Sequence, residues 1–120
     1  MAYLWTTYSV YDAEQTAAFF EQLLGLRVLR RQETPGHKML FLGFGETQET
    51  LLELMQTTPD AVDVCRSLSM GFGVPSLETA METATAMGIS CSEILSPAPG
   101  VRFCFVSDPN GIRIQLFEQN

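Results

Sequence analysis

The order of predicted elements repeats once along the chain, and this repeat most constrains the fold. Each half begins with a strand, continues with a helix and ends with three strands, so both halves are βαβββ. Val10 matches Val74 at an offset of 64 residues, and Leu52–Leu54 matches Ile114–Leu116 at an offset of 62. A repeated order of elements constrains a fold more than any single predicted element does.

Alternating apolar and polar residues predict the strands, and apolar residues spaced three or four apart predict the helices. Asp12 and Gly25 bound the predicted helix of the first half, and Ser76 and Gly88 bound that of the second. The predicted strands are Tyr3–Val10, Leu26–Arg31, Met39–Phe44, Leu51–Met55, Leu68–Val74, Ile89–Ile94, Val101–Val106 and Ile112–Phe117. Thr57–Asp60 interrupts the pattern and is the predicted linker.

The chain ends in a predicted β-hairpin, whose turn is Asp108–Gly111. The proline in this turn presets its own φ, and the glycine accepts a positive φ. In the second arm, apolar residues at 112, 114 and 116 alternate with Arg113, Gln115 and Phe117. A guanidinium, an amide and an aromatic ring are an unusual set for a face in bulk water, so this face is a candidate functional surface.

Each half alone would form a sheet with a helix on one face and an unfilled opposite face. We therefore predict an α+β fold, in which two tandem βαβββ modules form a cupped mixed sheet around a cavity with the helices outside. The chain is expected to be one domain, with modules at about 1–58 and 66–120. The candidate ligand-binding residues are those predicted on the inner faces: Tyr3, Trp5, Thr7, Glu53, Met55, Ser69, Arg113, Gln115 and Phe117.

Acidic residues outnumber basic residues by fourteen to seven, which gives a formal charge of −7. This balance argues against nucleic acid and anionic membranes as partners, and it favours a cationic ligand. The cysteines at 65, 91 and 104 have neither the spacing of a disulfide framework nor that of a metal knuckle. Reduced thiols and the lack of a signal-peptide pattern predict a cytoplasmic protein.

Three segments resemble the glyoxalase / bleomycin resistance / extradiol dioxygenase superfamily, also called vicinal oxygen chelate proteins. They are Val10–Asp12 leading into Ala18–Leu26, the strand Leu51–Leu54, and the closing segment Phe105–Leu116. The resemblance covers nearly the whole chain. It implies paired βαβββ modules that form a cupped sheet around a ligand cavity, in agreement with the repeat.

The resemblance also implies four inward positions that hold a divalent metal in the family's enzymes, two from each module. In this chain those positions are Trp5, Glu53, Ser69 and Gln115, of which only Glu53 is a strong ligand type. The single imidazole, His37, lies in a predicted hairpin turn, where we expect it to be solvated. We therefore expect no metal or other cofactor, with a weak divalent site at Glu53 and Gln115 as the alternative.

Glu53 is the candidate catalytic residue, because a carboxylate in the middle of a strand and facing a cavity can act as a general base. The competing interpretations are an ion pair between Glu53 and Arg113 and a relic of an ancestral metal site. Trp5 replaces a usual ligand with a flat ring. This ring can stack on an aromatic or cationic ligand, or fill the space of a metal and its waters.

Three functions remain open at this stage. The first is a small-molecule-binding protein with a degenerate metal site that sequesters a cationic or aromatic ligand, similar to the bleomycin-resistance branch. The second is a divergent glyoxalase-like lyase or isomerase, or a dioxygenase-like enzyme, that uses Glu53. The third is an interaction module whose cavity is collapsed around Trp5. The resemblance also implies a homodimer.

Overall fold

The computed structural model describes residues 1–119, and the chain divides into two compact units, residues 1–63 and the residues from 64 onward. The first unit contains β1 (Thr6–Ser9), α1 (Ala13–Leu24), β2 (Arg27–Thr34), β3 (His37–Gly43) and β4 (Leu52–Gln56). The second unit contains β5 (Ser69–Val74), α2 (Leu77–Ala86), β6 (Phe103–Ser107) and β7 (Arg113–Glu118). The predicted α+β class is confirmed. A short 3₁₀ helix, Pro59–Ala61, overlaps the predicted linker.

The sheet of the first unit has the strand order β1-β4-β3-β2. β2, β3 and β4 form an antiparallel meander, and β1 adds to it in parallel with β4. β1 begins at Thr6 rather than at the predicted Tyr3, and the Thr6 backbone N–H donates to the Leu51 carbonyl at 3.1 Å. Tyr3 and Leu4 are exposed and precede the strand.

The sheet of the second unit repeats this order as β5-β7-β6. Its first strand pairs in parallel with its last strand, and β6 pairs with β7 in the antiparallel direction. The two units thus share an arrangement in which the first strand lies beside the last. Equivalent strands of the two units pair with equivalent neighbours, and this explains why the repeat is visible in the sequence.

The predicted strand Ile89–Ile94 is wrong, because the structure shows no strand at these residues and the nearest pairing is an isolated bridge from Leu95 to Phe103. The Ser92 N–H donates to the Phe105 carbonyl at 2.9 Å, as a strand would. The return bond differs, since the Phe105 N–H donates to the Ser92 hydroxyl at 2.8 Å and not to a backbone carbonyl. This side-chain acceptor replaces a regular ladder bond, so the segment follows the sheet edge without forming a strand.

The two helices begin where the sequence predicts. The Asp12 carboxylate accepts from the Gln15 N–H at 3.0 Å, and the Ser76 hydroxyl accepts from the Thr79 N–H at 3.2 Å. Gly25 ends α1 at a φ of 76°, a left-handed conformation that glycine adopts without steric cost. Neither helix in the described part of the chain is long and apolar enough to cross a membrane.

Each unit buries one helix face against one sheet face. In the first unit the core includes Phe20 of α1 and Leu54 of β4, both fully buried. In the second unit it includes Leu77 of α2 and Ile114 of β7, which are buried to the same extent. The sheet faces turned away from the helices take no part in this packing, so they are the candidate functional surfaces.

Candidate functional site

The last strand of each unit separates a core face from an open face. On β4, Leu52 and Leu54 are buried, whereas Glu53 and Met55 are partly exposed. On β7, the buried positions are Ile114 and Leu116, and the alternate positions are the predicted Arg113, Gln115 and Phe117. This alternation follows from the period of two along a strand. It places the candidate residues of both last strands away from the helices.

Glu53 is the centre of the open face of the first unit. Its Oε1 accepts a hydrogen bond from the Thr7 hydroxyl at 2.6 Å and another from the Trp5 indole nitrogen at 3.3 Å. Thr7 is directly opposite Glu53 in the parallel pairing of β1 with β4. The strand register therefore brings three predicted site residues together, and two neutral donors orient one oxygen of the carboxylate.

Phe41 lies on the other side of Glu53, opposite it in the antiparallel pairing of β3 with β4. The Trp5 ring meets the Phe41 ring edge-on, with ring centres 5.6 Å apart. The Arg30 guanidinium lies 4.0 Å above the centre of the same phenyl ring, as in a cation–π contact. We call Trp5, Thr7, Arg30, Phe41 and Glu53 the Glu53 face.

The open face of the second unit has a corresponding layout. Gln115 is opposite Phe105 on one side and Gly71 on the other, just as Glu53 is opposite Phe41 and Thr7. The Arg113 guanidinium lies 5.2 Å from the centre of the Phe105 ring. Ser69 is opposite Arg113 across the parallel pairing and is exposed.

Three phenyl rings continue this second face. Phe103 meets Phe105 edge-on at 5.7 Å between ring centres. Phe103 also stacks on Phe117 at 6.1 Å, with an angle of 11° between the rings. All three rings are partly exposed, so they offer apolar surface. The Arg113 face is the set Ser69, Phe103, Phe105, Arg113, Gln115 and Phe117.

The other predicted ligand-binding residues lie further out. Tyr3 is 78% exposed, and its hydroxyl is hydrogen-bonded to that of Thr6. Met55 is partly exposed, two positions after Glu53 on β4. His37 begins β3 and is exposed, as expected of a solvated turn residue. Glu53 and Arg113 belong to different units, and their predicted ion pair stays a prediction.

Sequence reasoning missed four residues of the two faces: Arg30, Phe41, Phe103 and Phe105. A signal existed, because Phe41 and Phe105 occupy central positions in correctly predicted strands. Whether they lie opposite Glu53 and Gln115 depends on the pairing register, which the turns between the strands help to set. The composition of a strand does not specify this register.

The side chains at the four family positions do not fit a tight transition-metal site. The indole of Trp5 is a donor only and directs its N–H to Glu53, so it occupies a carboxylate oxygen that a metal would need. Ser69 and Gln115 supply a neutral hydroxyl and a neutral amide, which are weak ligands for such metals. Within residues 1–119, no group of three His, Cys, Asp or Glu side chains could hold a metal ion.

Comparison with known proteins agrees with the fold. The model of the Glyoxalase/Bleomycin resistance protein/Dioxygenase superfamily matches residues 3–116. The chain belongs to this superfamily. The resemblance inferred from the sequence motifs is confirmed.

Individual relatives differ in function. A lactoylglutathione lyase of Salmonella typhimurium is 30% identical over an alignment 125 residues long. This alignment covers 98% of this chain and 93% of the relative. The structure of glyoxalase I from Leishmania major has a TM-score of 0.79 at 25% identity and covers 96% of this chain and 84% of its own. An antibiotic-binding protein from a Streptomyces species has a TM-score of 0.74 at 17% identity and covers 100% of this chain and 98% of its own, which shows the shared fold alone.

Proposed function

We propose that this chain is a small-molecule-binding member of the superfamily, which binds a cationic or aromatic group at the Glu53 face. The observation that carries this proposal is the hydrogen bond from Trp5 to Glu53. It joins two positions that hold a metal in the family's enzymes, and it makes one of them a donor to the other. The carboxylate is thus organised by side chains and does not depend on a metal.

The Glu53 face has the chemistry that a cation with an aromatic body requires. Within residues 1–119, both hydrogen bonds to Glu53 go to Oε1, which leaves Oε2 for a ligand donor. The partly exposed ring of Trp5 lies beside the carboxylate and offers apolar surface. The formal charge of −7 also attracts a cation at long range.

The test uses 2-naphthylmethylammonium as a probe that combines a ring with a cation. We expect saturable thermal stabilisation that grows with the logarithm of probe concentration. Glu53→Gln keeps the shape of the side chain and removes its charge, so it should weaken binding by about tenfold, which corresponds to about 1.4 kcal/mol.

Glu46→Gln is the matched control, because Glu46 is an exposed carboxylate of the same unit. It should leave the affinity within about twofold of the wild type, as expected for a distant and screened charge. Equal weakening in both variants, or no saturable binding, would overturn the proposal.

Metal analysis of protein purified without chelator tests the same proposal independently. We expect less than one divalent ion per chain, because the side chains at the four family positions do not form a strong donor set. A stoichiometric ion that is lost in Glu53→Gln would contradict a metal-independent function. It would support the second candidate function.

That second candidate is a divergent glyoxalase-like lyase with Glu53 as the general base, and its support is the identity with relatives named lactoylglutathione lyase. A lactoylglutathione lyase assay with and without added Ni²⁺ or Zn²⁺ tests it. Activity that depends on metal and is lost in Glu53→Gln would favour the enzyme. No turnover in either condition would leave binding as the function.

We further propose that the chain forms a homodimer, as members of this superfamily commonly do. Several large apolar side chains are exposed, including Leu4, Tyr11 and Phe44, and such surface favours association. Light scattering at micromolar concentration should give twice the mass of the 13.3 kDa chain. A monomer under these conditions would contradict the proposal.

A further inference from the structure

The Arg113 face differs from the Glu53 face in charge. The positions on this face of β5, β6 and β7 include no Asp or Glu. The nearby Glu118 carboxylate is directed elsewhere, since it accepts from the Leu77 N–H at 2.9 Å and from Arg102 at 2.9 Å. Arg113 is exposed and takes part in none of the ion pairs of the described residues.

The guanidinium of Arg113 is nevertheless held in a defined place. It lies over the Phe105 ring in a cation–π contact, which leaves its N–H donors able to reach a planar anion. The exposed Arg31, in contrast, is paired with Glu14. A positioned guanidinium with no carboxylate partner among residues 1–119 is suited to bind a carboxylate in the bidentate manner.

The neighbours of Arg113 add neutral hydrogen-bonding groups to this charge. Ser69 lies opposite it and carries an exposed hydroxyl. The amide of Gln115 lies over Gly71, where a Cβ would come within 3.3 Å of the amide oxygen. Because residue 71 is a glycine, the Gln115 amide can lie across β5. Arg113, which supplies the guanidinium, is two positions earlier on β7.

The phenyl rings supply the remaining part of the face. Phe103, Phe105 and Phe117 contact one another in edge-on and stacked arrangements and remain partly exposed. A flat ring of a ligand can pack against such surface, and each aromatic pair contributes about 0.5–1.5 kcal/mol beyond its buried area. Charge and ring surface are adjacent at Phe105, because the Arg113 guanidinium lies over its ring.

We propose that the Arg113 face binds an aromatic carboxylate, with the ring on the phenyl groups and the carboxylate on Arg113, Ser69 and Gln115. This inference rests on the proposed binding function and assigns the Arg113 face a ligand chemistry of its own. Each face is testable alone with a probe that carries one charge.

The experiment is calorimetric titration of the full chain with 2-naphthoate and with uncharged 2-naphthylmethanol. We expect the wild type to bind 2-naphthoate about tenfold more tightly, and this preference should weaken as salt is added. Arg113→Gln should abolish the preference while thermal unfolding shows an intact fold. Arg66→Gln, which removes the same charge from an exposed position of the same unit, should retain it.

The titration with 2-naphthylmethylammonium separates this inference from the proposed function. If the ammonium probe binds through Glu53 but Arg113→Gln keeps the preference for 2-naphthoate, the inference is overturned and the proposed function stands. If the Arg113-dependent preference is found without ammonium binding, the Arg113 face stands and the Glu53 face fails. If neither probe binds, both proposals fail.

Discussion

The hairpin turn at Asp108 should be among the most sensitive places in the chain. The Asp108 side chain is 5% exposed, and its carboxylate accepts from the Ile112 N–H at 2.8 Å and from the Asn110 N–H at 2.9 Å. The Asn110 side-chain amide donates to it as well, at 2.9 Å. Asp108→Ala removes all of these acceptors and leaves the donors in place.

The expected cost follows from these bonds. Each buried donor that loses its partner costs about 1–3 kcal/mol, and three donors are affected. The exposed Pro109 and Gly111 admit water at the rim of the turn, so the lower end of the range applies. We expect a loss of about 3 kcal/mol for Asp108→Ala, obtained as about 1 kcal/mol for each donor.

Urea unfolding measures this loss. With a slope of about 2 kcal/mol per molar, the midpoint should fall by about 1.5 M. Asp108→Asn retains one acceptor oxygen but turns an amide toward the amide of Asn110, so its loss should be intermediate. Asp60→Ala, at an exposed carboxylate, is the control. Equal urea midpoints for Asp108→Ala and Asp60→Ala would contradict this prediction.

Two further predictions concern pH. Burial, and to a smaller extent Cys91, raise the pKa of Cys104 to about 11 from its ordinary value of 9.0. The neutral Cys104 thiol contributes its full stabilisation below pH 9, and this contribution is lost as the pH rises toward 11. The urea midpoint should therefore fall less over this range in Cys104→Ala than in the wild type. Hydrogen bonds from Arg31 and Lys38 lower the pKa of Glu14, so its contribution is present above pH 4.5 and is lost below it. Because this carboxylate is 45% exposed, Glu14→Gln should lower stability by at most about 1 kcal/mol at pH 7 and by less at pH 3, as thermal melts at both pH values would show.

Much of the fold could be predicted because local chemistry and tertiary structure agree there. Asp12 and Ser76 start the two helices by capping, which depends only on residues within the first turn. The alternation on β7 identifies its buried face, since successive side chains of a strand point to opposite sides. The segment from Ile89 to Ile94 has the composition of a strand, but the Ser92 hydroxyl takes a bond that a regular ladder needs.

The candidate site could be predicted only in part. Glu53 and Gln115 were identified because each is a polar residue between two apolar residues of a strand, a pattern that is visible in the sequence. Phe41 and Arg30 were missed because they reach Glu53 through strand register. The bulge between Val28 and Arg30 shifts the pairing of β2 with β3 by one residue.

By itself, the sequence determined the repeat, the helix ends, the hairpin turn and the superfamily, because each depends on short-range residue chemistry or on a pattern carried along one strand. Only the tertiary structure decided that Trp5 donates to Glu53 and that Phe105 supports Arg113. These contacts join residues from different strands, and their distances depend on pairing register and side-chain packing. The repeat therefore specified the order of elements, while packing produced the contacts of the two faces.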